Sequence, residues 1–230
     1  MQKTPFQAIL FDIDGTLYQT EKVALPAFRQ TFDQLRDQNL FHGDTPADDK
    51  LTGVFGMTIP EVWETLLPDG DMDTRDKANE LFAHAELSLM EAGKGELYPG
   101  VREALAALHN QNIRLYTCSN GEQRYVETVI RTQHLTPLFT KLYSAGAYKT
   151  EEKAELVARI LQDQNLSPDT VVMVGDRKSD ILAGNRNRVL TIGCDFGFAS
   201  ADELRDASIK IDQFDQLQAA LDKLAHAMVK

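Results

Sequence analysis

Cysteine is scarce in this sequence of 230 residues, which contains only Cys118 and Cys194. A chain of this length does not depend on disulfides for stability, and so few thiols are typical of a reducing compartment. Long apolar runs are missing as well. The early run from Ala8 to Phe11 stops at Asp12, and none approaches the roughly 20 apolar residues of a membrane-spanning helix. The sequence predicts a cytoplasmic protein with free thiols and no membrane partner.

Positive charge is also in deficit. Lys and Arg total 24 against 35 Asp and Glu, which gives a formal net charge of −11. Such a charge repels nucleic acid and anionic membrane surfaces, so we expect neither as a partner. The same field repels a phosphate ester. A phosphate-binding site in this chain would therefore need local positive charge, which a bound metal ion supplies.

Short apolar runs without helical periodicity recur along the chain and are typical of buried parallel strands. The predicted strands are Gln7–Phe11, Asn112–Cys118, Lys141–Ala145, Thr170–Val174, Val189–Gly193 and a weaker one at Ser208–Ile211. The predicted helices that follow them or lie between them are Val101–His109, Gln123–Arg131, Glu151–Gln162, Ser179–Asn185 and Asp215–Ala227. This alternation predicts an α/β fold, a doubly wound parallel sheet with helices on both faces.

Residues 20–94 interrupt the alternation, because they carry helical patterning, no convincing strand and several glycines and prolines. We therefore predict an α/β core formed by residues 1–19 and 95–230, with a helical insert from 20 to 94. One core with one accessory piece is the organisation expected for 230 residues.

Acidic residues follow two of the predicted strands. The string Asp12-Ile13-Asp14-Gly15-Thr16 follows the first strand, and the string from Gly175 to Asp180 follows Thr170–Val174. In a doubly wound sheet, ligands bind beyond the carboxyl ends of the strands, so we expect these carboxylates to converge. Neighbouring carboxylates repel by about 4 kcal/mol per pair at about 4 Å and an effective dielectric of about 20, so the cluster needs a cation. Hard oxygen ligands favour Mg²⁺.

A hydroxyl and an amide, Ser119 and Asn120, follow the second predicted strand at the start of a helix. Backbone donors at a helix start favour an anion, so this pair is a candidate phosphate contact. A serine in this position is also commonly a plain helix N-cap.

Together these strings resemble the haloacid dehalogenase superfamily, whose phosphatases combine a DxDGT loop, a serine or threonine after the second core strand, a lysine and a late GDxxxD pair. Tyr98-Pro99-Gly100-Val101 and the segment from Asp195 to Ser200 resemble the phosphoglycolate phosphatase-like branch. That branch carries a helical cap where this chain has its insert. The resemblance extends over essentially the whole chain, and it implies a Mg²⁺-dependent phosphatase for a small phosphate monoester.

The resemblance also implies a role for each residue. Asp12 would be the nucleophile that forms an aspartyl-phosphate, and Asp14 the general acid and base. Mg²⁺ would be held by Asp12, the backbone carbonyl of Asp14 and Asp176, with Asp180 bound directly or through water. The residues implied to bind the phosphoryl group are Ser119, Asn120, Gly15 and Thr16.

The family also uses a lysine beside the nucleophile, but its usual Lys-Pro pair is absent here. Lys149 and Lys153 are the two candidates, and Lys153 is favoured because it opens a K-A-E-L-V helix ahead of the fourth strand. A second departure is Gln19-Thr20, where relatives often have Asp-Ser. It bears on substrate fit and removes none of the implied catalytic residues.

Several functions remain open at this level. Asp14 favours phosphoryl transfer over dehalogenation, because a dehalogenase lacks this second carboxylate. A phosphosugar mutase shares the core, whereas a receiver-like or catalytically silent binding module is the non-enzymatic alternative. The substrate could be phosphoglycolate, a nucleoside monophosphate or a sugar phosphate. The insert segment Gly53–Thr58 is the predicted specificity element, with Phe55, Met57 and Thr58 as candidate contacts; the alternative is an interhelical turn with Phe55 in the insert's core.

Overall fold

The computed structural model describes residues 5–200 and 202–228, which divide into two compact units. Unit 1 combines Met1–Gln19 with Leu97–Lys230, and unit 2 is Thr20–Glu96. The strands are β1 (Ala8–Phe11), β2 (Arg114–Thr117), β3 (Val171–Gly175), β4 (Leu190–Cys194) and β5 (Ile209–Ile211). The α-helices are α1 (Glu21–Asp37), α2 (Asp48–Thr52), α3 (Ile59–Leu66), α4 (Met72–Glu91), α5 (Val101–Asn110), α6 (Gln123–Thr132), α7 (Ala145–Tyr148), α8 (Lys153–Asp163), α9 (Lys178–Arg186) and α10 (Leu217–Met228).

The five strands of unit 1 form one sheet in the order β2-β1-β3-β4-β5, and every neighbouring pair is parallel. The strands next to one another in the centre, β1 and β3, are buried along their whole length. A strand that is covered on both faces is apolar at every position, which explains why these two could be predicted from short apolar runs. The predicted α/β class with a parallel sheet is confirmed.

The predicted strand Lys141–Ala145 is wrong. Lys141 and Ser144 each make an isolated bridge, to Tyr116 and Ser119, and residues 145–148 form α7 instead. The side-chain hydroxyl of Thr117 explains the interruption, because it donates to the Tyr143 carbonyl at 3.0 Å and accepts the Tyr143 N–H at 2.7 Å. The Tyr143 N–H therefore pairs with a side chain, while the Tyr143 carbonyl accepts both this hydroxyl and the Ser119 N–H at 3.3 Å, so the pairing is limited to isolated bridges.

Unit 2 is helical, and its described residues contain no strand. Phe28 of α1 packs against Phe82 of α4, with ring centroids 4.2 Å apart, and against Trp63 of α3 at 5.8 Å. Trp63 is 2% exposed, and its indole N–H donates to Asn79 Oδ1 at 3.2 Å. These aromatic contacts give the insert an apolar core of its own.

Across residues 5–200 and 202–228, no helix has the length and apolarity that a membrane crossing requires.

Helix α9 approaches the sheet closely at Gly184. A Cβ atom at this position would lie 2.3 Å from Thr191 Cγ2 and 3.2 Å from the Val189 carbonyl oxygen. Thr191 is fully buried and is itself held by Ser208, whose N–H donates to the threonine hydroxyl at 3.0 Å. An added methyl group therefore has no space.

We expect Gly184→Ala to lower the free energy of unfolding. Alanine in a helix is favoured over glycine by about 1 kcal/mol, but overpacking of a filled core costs about 1–3 kcal/mol, so a net loss of about 1 kcal/mol is expected. Equilibrium urea denaturation measures it. Lys178→Ala in the same helix, at an exposed position, should change stability by less than about 0.5 kcal/mol. A Gly184→Ala protein at least as stable as the parent would contradict the close approach.

Candidate active site

The carboxyl ends of three adjacent strands bring the predicted site residues together. Phe11 of β1 is in register with Val174 of β3 and with Thr117 of β2. The residues that follow these positions therefore leave the same edge of the sheet. Hydrogen bonds continue this alignment past the strands, since the Asp12 N–H donates to the Val174 carbonyl at 2.9 Å and the Cys118 N–H to the Phe11 carbonyl at 2.7 Å.

Lys153, the first residue of α8, is the centre of the site. Its Nζ donates to Asp12 Oδ1 at 2.8 Å and to Asp180 Oδ1 at 2.5 Å, and the residue is only 5% exposed. Burial by itself lowers the pKa of a lysine, but the Asp12 and Asp180 carboxylates outweigh it and raise the pKa of Lys153 above its ordinary value. Lys153 is therefore a buried ammonium ion held between two carboxylates.

The other candidate lysine, Lys149, is exposed, in contrast to Lys153. It follows α7 at an exposed position with a left-handed backbone, φ 53°. Of the two, the geometry favours Lys153 as the lysine beside the predicted nucleophile.

Three buried carboxylates form a set of oxygen ligands. Asp12, Asp176 and Asp180 each offer one carboxylate oxygen, and these atoms lie within 4.8 Å of one another. Burial raises the pKa of Asp12 well above its ordinary value; Lys153 opposes this rise, and Asp180 adds to it. Burial also raises the pKa of Asp176 to about 7, with Asp180 adding to the rise. Three carboxylates crowded in this way fit a divalent cation, which would favour their charged forms.

The carboxylates of Asp176 and Asp180 are oriented by backbone donors. Asp180 Oδ2 accepts the N–H of Arg177 at 2.8 Å, at the start of α9. Asp176 Oδ2 accepts the N–H of Phe198 at 2.7 Å, and its Oδ1 is 3.4 Å from the hydroxyl of Thr16. Each carboxylate thus has one side fixed by the protein.

Asp14 lies in the tight turn that follows β1. Gly15 permits the turn with φ 71°, and the carbonyl of Ile13 accepts the N–H groups of Leu17 at 2.9 Å and Tyr18 at 3.0 Å. The Asp14 side chain does not belong to the set of three ligand carboxylates; its Oδ1 accepts a hydrogen bond from the hydroxyl of Tyr125. This placement leaves the side chain for a role other than metal binding.

The residues implied to bind phosphate fall into two groups. Ser119 is fully buried at the edge of the sheet, and its Oγ accepts the Gly121 N–H at 3.1 Å. Thr16 is also fully buried, and its hydroxyl donates to Asp176. Asn120, in contrast, is exposed. Of the predicted phosphate contacts, Ser119 and Thr16 are therefore buried at the sheet edge, whereas Asn120 is at the surface.

Sequence reasoning missed the contacts made by the segment after β4. Besides the Phe198 N–H on Asp176, the Arg177 guanidinium donates to the Phe198 carbonyl at 2.7 Å. Gly197 allows this packing, since a Cβ there would lie 2.3 Å from the Gly15 carbonyl and 2.4 Å from Asp176 Oδ2. The glycine between two phenylalanines is the only local signal of this contact. Tyr125, on α6, was also missed.

The comparison with known proteins is consistent with this geometry. Residues 9–194 match the family model described as haloacid dehalogenase-like hydrolase. A 5'-nucleotidase of Pseudomonas aeruginosa is 26% identical over 204 residues, which cover 86% of each chain. A phosphoglycolate phosphatase of Vibrio vulnificus is 25% identical over 214 residues, which cover 86% of this chain and 87% of the relative.

A solved structure gives the same fold. The crystal structure of a predicted phosphoglycolate phosphatase from Haemophilus somnus superposes with a TM-score of 0.82 at 19% identity, covering 94% of this chain and 98% of the other. The family match spans the loop after β1, the buried lysine and both late aspartates. The chain therefore belongs to the haloacid dehalogenase-like hydrolase family, and phosphoglycolate phosphatases, which form the branch that its sequence resembles, are among its relatives.

Proposed function

We propose that this phosphatase hydrolyses a small phosphate monoester with the help of Mg²⁺ and through an aspartyl-phosphate on Asp12. The observation that carries the proposal is the buried cluster in which Lys153 contacts Asp12 and Asp180 while Asp176 lies beside them. Three carboxylates and one ammonium ion leave two negative charges, which one divalent cation balances. When bound, the cation would also neutralise charge on the phosphoryl group.

The first step proposed is transfer of the phosphoryl group to the enzyme. A carboxylate oxygen of Asp12 attacks phosphorus, the bond from phosphorus to the ester oxygen breaks, and Asp14 gives its proton to that oxygen. The products are the free alcohol, the aspartyl-phosphate and the Asp14 carboxylate. Lys153 and Ser119 would hold phosphoryl oxygens, which balances charge and fixes orientation.

The second step releases phosphate. Water gives a proton to the Asp14 carboxylate as its oxygen attacks phosphorus, and the bond from phosphorus to the Asp12 oxygen breaks. Inorganic phosphate leaves, and Asp12 returns to a carboxylate while Asp14 is again protonated. A carboxyl that serves as acid and then as base contributes about 10²- to 10⁴-fold in such reactions.

The substrate class follows from the relatives. A 5'-nucleotidase and a phosphoglycolate phosphatase match this chain at nearly the same identity. We therefore propose that the substrate is a small, soluble phosphate monoester. Phosphate release from a panel of nucleoside 5'-monophosphates, phosphoglycolate and sugar phosphates tests this proposal.

The two free cysteines, Cys118 and Cys194, are buried, which supports the predicted location in the reducing cytoplasm.

Two alternatives are separated by simple assays. A phosphosugar mutase on the same core would convert a hexose 1-phosphate into its isomer, whereas the phosphatase releases free phosphate. A receiver-like or silent binding module would turn over neither. The intact cluster of aspartates and lysine favours an enzyme over the binding module.

We expect Asp12→Asn to abolish Mg²⁺-dependent phosphate release from p-nitrophenyl phosphate, because an amide neither attacks phosphorus nor carries the charge that holds the cation. Phosphate release with Mg²⁺, and with a chelator in its place, measures this. Asp212→Asn is the matched control, since Asp212 follows β5 at an exposed position and should leave the rate unchanged. Full activity of the Asp12→Asn protein would contradict the proposed mechanism.

We expect Lys153→Ala to lower kcat by about 10²-fold or more at saturating Mg²⁺, because the transferring phosphoryl group loses its positive partner. Circular dichroism establishes that the variant is folded, since loss of a buried partner also destabilises. Lys149→Asn is the control; asparagine tolerates the left-handed backbone of this exposed residue, so its kcat should change by less than about twofold. The opposite pattern would assign the role to Lys149.

We also propose that unit 2 determines which leaving groups the enzyme accepts. The unit 1 residues named above would contact only the phosphoryl group and the metal, which are the same for every ester. Within the segment Gly53–Thr58, Phe55 is buried and the Thr58 hydroxyl donates to Glu61 in a helix cap, whereas Met57 is 42% exposed. The burial of Phe55 agrees with the alternative in which this segment is an interhelical turn with Phe55 in the core of the insert. Met57 is therefore our candidate for a contact with the leaving group.

Met57→Ala should then change the ratio of kcat/KM between two esters with different leaving groups by about tenfold, which is about 1.4 kcal/mol of differential transition-state binding. Met72→Ala removes another exposed methionine of unit 2 and should leave the ratio unchanged. If Met57→Ala slows every ester by the same factor, or none, this segment does not select the substrate.

A further inference from the structure

Tyr125 contacts the predicted acid and base from an element outside the loops that follow the strands. It is the third residue of α6, it is half-buried, and its phenol hydroxyl donates to Asp14 Oδ1 across 111 residues of sequence. Neither the DxDGT loop nor the late acidic pair includes it. A neutral donor therefore holds one oxygen of this carboxylate in a defined position.

The start of α6 is fixed to the sheet edge by several hydrogen bonds. The Ser144 hydroxyl donates to Gln123 Oε1 at 2.9 Å, and the Gly146 N–H donates to the Gly121 carbonyl at 3.3 Å. The Ala145 N–H donates to the Ser119 carbonyl at 2.8 Å. Residues 144–146 thus bond both to Ser119 and to the segment that leads into the helix of Tyr125.

The ring of Tyr125 also packs closely against the loop that precedes its helix. A Cβ at Gly121 would lie 3.1 Å from Tyr125 Cδ1 and 3.3 Å from Ser119 Oγ. Glycine at this position lets the ring lie beside the backbone. The position of the Tyr125 hydroxyl group is therefore fixed by α6, which carries the residue, and by the packing of its ring against Gly121.

We infer that Tyr125 is a positioning residue that orients the carboxyl group of Asp14 for proton transfer to the leaving group. The inference rests on the phosphatase function proposed above. With the phenol donating to Oδ1, the proton that Asp14 transfers is carried on Oδ2, and the plane of the carboxyl group is fixed relative to the turn at Gly15. Tyr125 itself exchanges no proton in either step and acts through Asp14.

The experiment compares two esters of similar shape whose leaving groups differ in basicity, phenyl phosphate and p-nitrophenyl phosphate. Phenolate needs protonation as it leaves far more than p-nitrophenolate does. Tyr125→Phe should therefore lower kcat/KM for phenyl phosphate by about tenfold or more, and for p-nitrophenyl phosphate by less than about threefold. A residue with a purely structural role would slow both esters by the same factor.

A double-mutant cycle separates action through Asp14 from a direct contact with the substrate. In the Asp14→Asn protein, Tyr125→Phe should change kcat/KM for phenyl phosphate by less than about twofold, because the group it orients no longer transfers a proton. Tyr116→Phe is the control: it removes a hydroxyl that donates to Gln164 Oε1 at 2.9 Å, and both esters should react as in the parent protein.

The outcomes are distinct. An active parent enzyme in which Tyr125→Phe slows both esters equally, slows neither, or keeps its full effect beside Asp14→Asn overturns the positioning role and leaves the proposed function standing. A parent protein that releases no phosphate from either ester overturns the proposed function, and the inference falls with it.

Discussion

The contact of the Lys153 ammonium with Asp12 and Asp180 is the constraint on which the site depends. Lys153 and Asp12 are no more than 5% exposed, and Asp180 is fully buried. Taking a charged group out of water costs several kcal/mol, so each of these charges requires partners. Asp12 comes from the loop after β1, Asp180 from α9 and Lys153 from the start of α8. The three elements are therefore held in one arrangement by the need to keep these charges paired.

This charge cluster also determines which residues can surround it. A Cβ at Gly175 would lie 2.2 Å from Asp180 Cγ, and a Cβ at Gly15 or Gly197 would lie 2.3 Å or 2.4 Å from Asp176 Oδ2. Glycine at these three places lets backbone approach the carboxylates directly. The Phe198 N–H uses that access to donate to Asp176. The glycines therefore leave the space that the carboxylates occupy, and each carboxylate accepts a hydrogen bond from a backbone N–H or from the ammonium ion.

The sequence predicts the features that local pattern and topology control. Apolar runs predict β1 and β3. The rule that parallel strands present their carboxyl ends together predicts that the carboxylates of both acidic strings converge; those of Asp12, Asp176 and Asp180 do so, whereas the Asp14 side chain lies outside this set. Contacts between distant residues have no such signal. The Thr117 hydroxyl that interrupts the pairing of Tyr143 is 26 residues away from it, and the Tyr125 hydroxyl is 111 residues from Asp14. Such side-chain contacts are set by tertiary packing, which apolar periodicity does not encode.

The two aspartates of the first loop are only two residues apart, yet their surroundings differ in kind. Asp12 is buried and contacts an ammonium ion, whereas Asp14 is half-buried and accepts a hydrogen bond from a phenol. Burial raises the pKa of Asp12, whereas the ammonium ion at 2.8 Å opposes this rise and favours the ionised form that a nucleophile needs. A neutral donor orients a carboxyl group without adding charge, so the group can still give up and regain a proton. The environment, and not the residue type, therefore distinguishes the proposed nucleophile from the proposed acid and base within one short loop.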